Sequence, residues 1–81
     1  MNRLHLIILA SLKKIDAVSI PSAVTLYELR EYCNISSSTT TLYRAIKYLY
    51  DMKYVNEGLK TINCHTYYIN QNGIEKLKEM L

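Results

Sequence analysis

The segment Ser36–Val55 constrains the fold of this chain most, because it predicts a capped helix that runs directly into a strand. Its apolar residues recur three or four positions apart, which is the repeat of one helix face. These residues are Leu42, Ala45, Ile46 and Leu49. We expect this face to pack on a core, and the serines and threonines before it to cap the helix.

The opposite face of the same helix is predicted to be free for a partner. At about 100° per residue, four side chains project away from the apolar side. They are Thr40, Tyr43, Arg44 and Lys47. All four can donate hydrogen bonds to phosphate oxygens or base edges. The segment also carries a net charge of +2, because its three cations outweigh Asp51, and this charge favours an anionic partner.

Length and charge set limits on this interpretation. The chain has 81 residues, which predicts a single domain over positions 1–81. A core of this size supplies only about 3–5 kcal/mol, so dimerisation is an expected source of further stability. The net charge of +3 is a mild bias that suits nucleic acid without identifying it.

Cysteine usage indicates a reducing compartment. Small secreted domains usually carry four or more cysteines, whereas this chain has two, Cys33 and Cys64. The apolar run Leu4–Leu12 is too short to span a bilayer and lacks the layout of a signal peptide. We therefore expect a cytoplasmic protein with no membrane partner.

The N-terminal segment Leu4–Ile15 is predicted to be a helix that is apolar nearly all round. Such a helix is buried on more than one side, either within its own domain or against a second subunit. A homodimer is predicted to form through this helix and the C-terminal helix. The following segment, Asp16–Val24, holds the only proline and is predicted to be a loop with at most a short edge strand.

A helix, a tight turn and a second helix are predicted next. Thr25 and Glu28 have the spacing of a capping box, in which each residue bonds to the backbone of the other and starts a helix. The core side of that helix holds Leu26, Leu29 and Cys33. Asn34 suits the left-handed turn that ends it, and the serines begin the third helix.

After Lys53 the pattern changes to two short β-type runs, Tyr54–Glu57 and Cys64–Ile69, which predict a hairpin. Asn70 then caps a closing helix, Gln71–Leu81. Its apolar side is expected to hold Ile74, Leu77, Met80 and Leu81. This order of elements predicts an α+β fold, a winged helix-turn-helix with a small β-hairpin wing and a closing C-terminal helix.

Between Leu26 and Leu81 the sequence also resembles known regulators. TTLYRAIKYLYDMKYV resembles the recognition helix and following strand of PadR-type and MarR-type transcriptional regulators, and HTYYINQNGIEKLKEML resembles the strand and closing helix after their wing. The resemblance implies a dimeric repressor or activator that lays its third helix in the major groove and its wing along the flanking backbone or minor groove. Lys53 stands where those families usually have a turn glycine.

The candidate DNA-binding residues lie at the start of the third helix, along its outward face and in the wing. They are Ser37, Ser38, Thr39, Thr40, Tyr43, Arg44, Lys47, Lys60, Thr61 and Asn63. Thr40, Arg44 and Lys47 are predicted to read bases or phosphates, and Ser37–Thr39 to anchor the DNA backbone. Alternatively, the cations form an ordinary solvated face, Tyr43 packs its ring, and the wing residues are a polar hairpin tip.

The expected function is sequence-specific DNA binding by a dimeric transcription regulator that reads an inverted repeat. The sequence contains no Gly-rich phosphate loop, paired-carboxylate site or metal-ligand spacing, so we expect no enzyme activity, no metal and no cofactor. The alternative is a winged helix that binds protein through a Tyr-rich surface of Tyr48, Tyr50 and Tyr54, because aromatic residues are enriched at protein interfaces.

Overall fold

The computed structural model describes residues 1–60 and 62–81 of the chain. Its α-helices are α1 (Arg3–Lys14), α2 (Leu26–Tyr32), α3 (Thr39–Asp51) and α4 (Gln71–Met80). The antiparallel strands β1 (Val55–Glu57) and β2 (Tyr67–Ile69) form a hairpin between α3 and α4, and a short 3-10 helix (Ile20–Ser22) precedes α2. The predicted order of helices and hairpin is confirmed.

Side-chain caps begin the helices where the sequence predicts them. The Thr25 hydroxyl accepts from the Glu28 amide at 3.1 Å, and the Thr25 amide donates to the Glu28 carboxylate at 3.0 Å. The Ser38 hydroxyl accepts from the Thr41 amide at 3.2 Å. The side-chain oxygen of Asn70 caps α4 in the same way. These bonds satisfy amide groups that a helix start otherwise leaves without a partner.

The core lies between α1, α3 and the hairpin. All four apolar residues predicted for the inner face of α3 are buried, namely Leu42, Ala45, Ile46 and Leu49. They pack with Ile8, Leu9 and Leu12 of α1, Val55 and Ile69 of the hairpin, Leu29 of α2 and Leu77 of α4. Full burial of one such side chain contributes about 1.5–3 kcal/mol, so this cluster is the main source of stability.

Most of the apolar surface of α1 is buried within its own domain. The helix packs against α3, α4 and β2, which accounts for its nearly all-round apolar character. Ile7 is an exception, since it is 40% exposed, and Ala10 beside it on the next turn is also exposed. Only this narrow strip of α1 is therefore left for a second subunit.

The second strand is shorter than its sequence predicts. Cys64–Thr66 lie outside β2, although the prediction placed the strand at Cys64–Ile69. Next to the strands, the Gly58 amide still donates to the Thr66 carbonyl at 2.9 Å. The Thr66 hydroxyl then donates to the Leu59 carbonyl at 2.6 Å, so a side chain satisfies this carbonyl instead of a backbone ladder. The regular strand pairing ends at Glu57 and Tyr67.

The loop before α2 supplies one extended position beside the hairpin. Val24 and Tyr67 exchange two backbone hydrogen bonds of 3.0 and 2.8 Å, which confirms the predicted short edge strand as a single bridge. The 3-10 helix Ile20–Ser22 was not predicted. It forms because Pro21 suits a first helical turn and the Ser22 hydroxyl accepts from the backbone of Val18 and from that of the next residue.

Three of the described residues other than glycine hold left-handed turns that redirect the chain at the ends of helices, and the first is Asp16 after α1, with φ 58°. Asn34 has φ 51°, as predicted for the turn after α2, and Lys53 has φ 66° after α3.

At the end of α4 the prediction was wrong for two residues of the apolar side. Met80 and Leu81 are 43% and 90% exposed, because they lie in the final turn and at the chain end.

Candidate nucleic-acid interface

The outward face of α3 is an exposed row of hydrogen-bond donors. Thr40, Tyr43, Arg44 and Lys47 are all exposed, and they lie opposite the buried face of the same helix. The row is about 11 Å long at 1.5 Å per residue, which is comparable to the width of a DNA major groove, about 12 Å. The predicted outward position of these four residues is confirmed.

The hydroxyl side chains at the start of α3 differ in their exposure and in their hydrogen bonds. The Ser38 hydroxyl is engaged in capping, since it also donates to the Thr41 hydroxyl at 3.0 Å. Ser37 and Thr39 are half-buried, whereas Thr40 is exposed. Of this run, Thr40 therefore has the side chain best placed on the outward face.

Lys47 has a carboxylate neighbour one turn further along α3. Its Nζ lies 3.9 Å from Oδ1 of Asp51, and the two side chains are 60% and 61% exposed. An ion pair this exposed contributes little to stability and exchanges readily with other partners. The Lys47 ammonium is therefore available to an anion that approaches α3.

A groove runs beside α3 from its N-terminus to the wing. It consists of two adjoining depressions, of about 290 and 200 Å³, which share Leu26, Tyr27 and Tyr43. Its helix end is lined by Thr39 and Thr40, and its wing end by Thr25, Asn63, Cys64, His65 and Tyr67. We call it the tyrosine groove. Hydroxyl, amide and imidazole groups line it, so it can present several neutral donors to an anionic ligand.

The tyrosine at the wing end of the tyrosine groove, Tyr67, has a raised pKa and stays protonated. Burial, and to a lesser extent the Glu57 carboxylate and Tyr43, together raise the pKa of Tyr67 to about 12. At neutral pH the Tyr67 hydroxyl is thus a donor. The Glu57 carboxylate also lies 3.6 Å from Nδ1 of His65, so this acidic group is held against the wing when the imidazole is charged.

The structure brings together some of the predicted site residues and not others. Thr39, Thr40, Tyr43 and Asn63 all line the tyrosine groove, although Asn63 is 20 positions or more from the other three. Lys60 is exposed but is not among the groove residues. Thr61, which was also predicted to touch DNA, lies outside the described residues.

Sequence reasoning missed Tyr27. This residue is the second of α2, is 62% exposed and lines both depressions of the tyrosine groove. Helical periodicity places it away from Leu29 and so predicts the exposure. The pattern cannot show that Tyr27 lines the same groove as Tyr43 of α3, because that depends on how α2 packs against α3.

Residues 1–60 and 62–81 contain neither a candidate metal site nor a helix that could span a membrane. No group of three or more histidine, cysteine or acidic side chains in this part of the chain is arranged to hold a metal ion. None of the helices there is long and apolar enough to cross a membrane.

A helix, a tight turn, an outward helix, a hairpin and a closing helix together define a winged helix-turn-helix protein. No family model matches the chain. The solution structure of the DNA-binding TubR fragment from Clostridium botulinum is 33% identical in sequence, with a TM-score of 0.75 over 100% of this chain and 98% of that one. The chain belongs to the TubR family.

Two other relatives are consistent with this assignment. The DNA-binding protein TubR of Clostridium botulinum C phage is 48% identical over 50 residues, which are 60% of this chain. The matched part spans 62% of the length of that relative. TubR from Bacillus megaterium pBM400 is 14% identical, with a TM-score of 0.85 over 99% of this chain and 86% of that one, and it shows the shared fold.

The comparisons refine the resemblance inferred from sequence. The winged helix-turn-helix class is confirmed, whereas the relatives found are TubR proteins rather than PadR-type or MarR-type regulators.

Proposed function

We propose that residues 1–81 form a single winged helix domain that binds double-stranded DNA sequence-specifically and regulates transcription. The observation that carries this proposal is the exposed donor row on α3, with Arg44 and Lys47 beside the neutral donors of the tyrosine groove. Two relatives, the TubR protein of the Clostridium botulinum C phage and the TubR fragment from Clostridium botulinum, are DNA-binding. The proposal involves no catalysis, metal or cofactor.

In the proposed complex, α3 lies in the major groove. Thr40, Arg44 and Lys47 then reach base edges or the nearest phosphates, since a helix of this kind presents its outward side chains to the groove floor. The tyrosine groove is occupied by the sugar-phosphate backbone that borders the major groove. Tyr27 and Tyr43 donate to its phosphate oxygens through their hydroxyls, which fixes the orientation of α3 without reading sequence.

The wing adds contacts to the flanking backbone. Lys60 supplies its positive charge, and Thr61 and Asn63 supply neutral donors. A single lysine neutralises one phosphate, so the wing contributes less to affinity than Arg44 and Lys47 do together. Ser37–Thr39 complete the set by placing the α3 N-terminus, with its partial positive charge, next to a phosphate.

We also propose that the protein binds DNA as a homodimer. Exposed apolar side chains support this arrangement, namely Ile7 and Ala10 of α1 with Met80 and Leu81 at the end of α4. Because α1 and α4 pack on each other, their exposed residues can contribute to one contact surface. A two-fold dimer built on this surface presents two copies of α3 and reads an inverted repeat.

The alternative of a protein-binding module is less well supported. Tyr48 and Tyr50 are two residues apart in α3 and so project about 200° from each other around the helix axis. Tyr54 is half-buried, and the Tyr48 ring is covered on one face by His5. The three tyrosines proposed for that function therefore do not form a continuous surface.

A salt titration of binding to random-sequence duplex DNA tests the proposal. Phosphate contacts make log affinity fall linearly with log salt, with a slope of about −0.9 for each phosphate neutralised. Arg44 and Lys60, the two cations proposed to reach phosphates on any sequence, predict a slope near −2 for each subunit. Absence of binding at low salt, with the chain folded, would contradict DNA binding, and capture of a protein partner by such a chain would favour the alternative.

A further inference from the structure

Asp51 is an acidic residue on the face of α3 that is otherwise rich in donors. It is the last residue of the helix, and it lies three turns beyond Thr40 in nearly the same direction around the axis. Arg44 and Lys47 project to either side of that line. Asp51 thus removes one unit of charge from the part of the surface that faces DNA in the proposed complex.

The stability of α3 does not explain this carboxylate. A negative charge at the C-terminal end of a helix opposes the helix dipole, and Asp is a poor helix former. Its ion pair with Lys47 has the lysine first, which is the less favourable order on a helix, and both side chains are more than half exposed. Folding alone therefore favours a neutral or basic residue at this position.

We propose that Asp51 is a positioning residue that acts through Lys47 to restrict non-specific DNA binding. The inference rests on the proposed function. The Asp51 carboxylate lies 3.9 Å from Nζ, so it competes with DNA phosphates for the Lys47 ammonium and favours positions along the helix, which faces the base edges in the proposed complex. Without it, the flexible four-carbon stem lets the ammonium reach backbone phosphates, which are the same on every sequence.

The consequence differs between correct and random DNA. On a correct site the restrained ammonium contacts base acceptors such as guanine O6 and N7, so the pair with Asp51 is retained. On random DNA the Lys47 ammonium can gain only a phosphate contact, and it must leave the Asp51 carboxylate to make that contact. The carboxylate therefore weakens random binding more than specific binding.

The test compares D51N with the wild type on two duplexes of equal length. One is enriched by the wild-type protein from a random library, and the other has a scrambled sequence. One additional phosphate contact corresponds to about fivefold in affinity at 0.15 M salt and steepens the salt slope by about 0.9. We expect both changes for D51N on the scrambled duplex, and little gain on the enriched one.

Three further variants make this result specific to the pair. E79Q makes the same charge change on exposed α4 and should behave like the wild type. D51E keeps the carboxylate and should preserve discrimination. In a K47A background, D51N should give no gain on the scrambled duplex, because the cation that it releases is absent.

The outcomes separate this inference from the function on which it rests. A wild type that binds neither duplex would remove the proposed function. A wild type that binds and discriminates, with D51N unchanged on the scrambled duplex or matched by E79Q, would overturn the role of Asp51 alone. A D51N gain that persists undiminished in the K47A background would also overturn it.

Discussion

The imidazole ring of His5 stacks on the ring of Tyr48, with centroids 4.3 Å apart and planes 15° apart. The same imidazole accepts a hydrogen bond at Nδ1 from the Asn2 amide at 3.1 Å, so it completes the cap of α1. His5 thereby joins the start of α1 to the outer side of α3. The hydrogen bond requires the neutral ring, because a protonated Nδ1 cannot accept.

This arrangement predicts that acid destabilises the fold through His5. Burial, and secondarily the positive N-terminus, lower the pKa of His5 from its ordinary value of 6.5. The unfolded chain therefore binds the proton more readily than the folded chain. The stabilisation is complete above 6.5 and is lost as the pH falls through the lower folded pKa.

Thermal unfolding across this pH range checks the prediction. H5Q should show a weaker loss of Tm with acid than the wild type, because glutamine at this position can still accept from the N-cap amide and does not titrate. H65Q, which removes the other imidazole, should keep the His5 contribution. An identical pH profile for the wild type and H5Q would show that His5 does not couple protonation to folding.

The double variant R44A/K47A should lose DNA binding while remaining folded. Both side chains are exposed, and exposed substitutions usually change the free energy of unfolding by no more than about 0.5 kcal/mol. Binding is measured by fluorescence anisotropy and stability by thermal unfolding. K13A/K14A removes the same charge from α1 and is the matched control. Full binding by folded R44A/K47A would exclude α3 as the reading helix.

Tyr27 provides a test of the tyrosine groove. Y27F removes only the hydroxyl, and one neutral hydrogen bond is worth about 0.5–1.5 kcal/mol, so DNA affinity should fall about 2- to 10-fold. The salt slope should stay unchanged, because a neutral hydroxyl releases no counterion. Y32F is the control, since Tyr32 is an equally exposed tyrosine of α2 that does not line the groove. Equal DNA affinities for Y27F, Y32F and the wild type would indicate that the DNA backbone does not occupy the tyrosine groove.

The proposed dimer should dissociate when the exposed strip of α1 is made charged. I7E places a carboxylate at a position that is 40% exposed in one chain, so the monomer can remain folded while the contact is lost. Sedimentation velocity at micromolar concentration should show a dimer for the wild type and a monomer for I7E. V18E, at a similarly exposed loop position, should remain dimeric. A monomeric wild type would rule out this assembly.

Two copies of α3 in such a dimer predict a symmetric binding site. Half-site centres should be one helical turn apart, about 10 bp, so that both reading helices enter successive major grooves on one side of the duplex. A full inverted repeat should bind much more tightly than an isolated half-site in a duplex of equal length. Equal affinities for the two would indicate that one subunit binds alone.

Local chemistry explains why much of this fold was predictable. The capping box at Thr25 and the cap at Asn70 depend on residues three positions apart, so they can be identified without a tertiary structure. The same holds for the left-handed turn at Asn34 and for the two faces of α3, which follow from helical repeat.

The remaining features depend on contacts between distant parts of the chain. Local patterns in the sequence predict the four α-helices, the caps of α2, α3 and α4 and the outward donors of α3, because each follows from neighbours within one or two turns. Tertiary packing set other features, namely that Tyr27 and Tyr43 line one groove and that β2 begins at Tyr67. It also decided that α1 is buried mostly by its own domain. These outcomes depend on the packing of α1, α2 and the wing against α3, which residue spacing along one element does not specify.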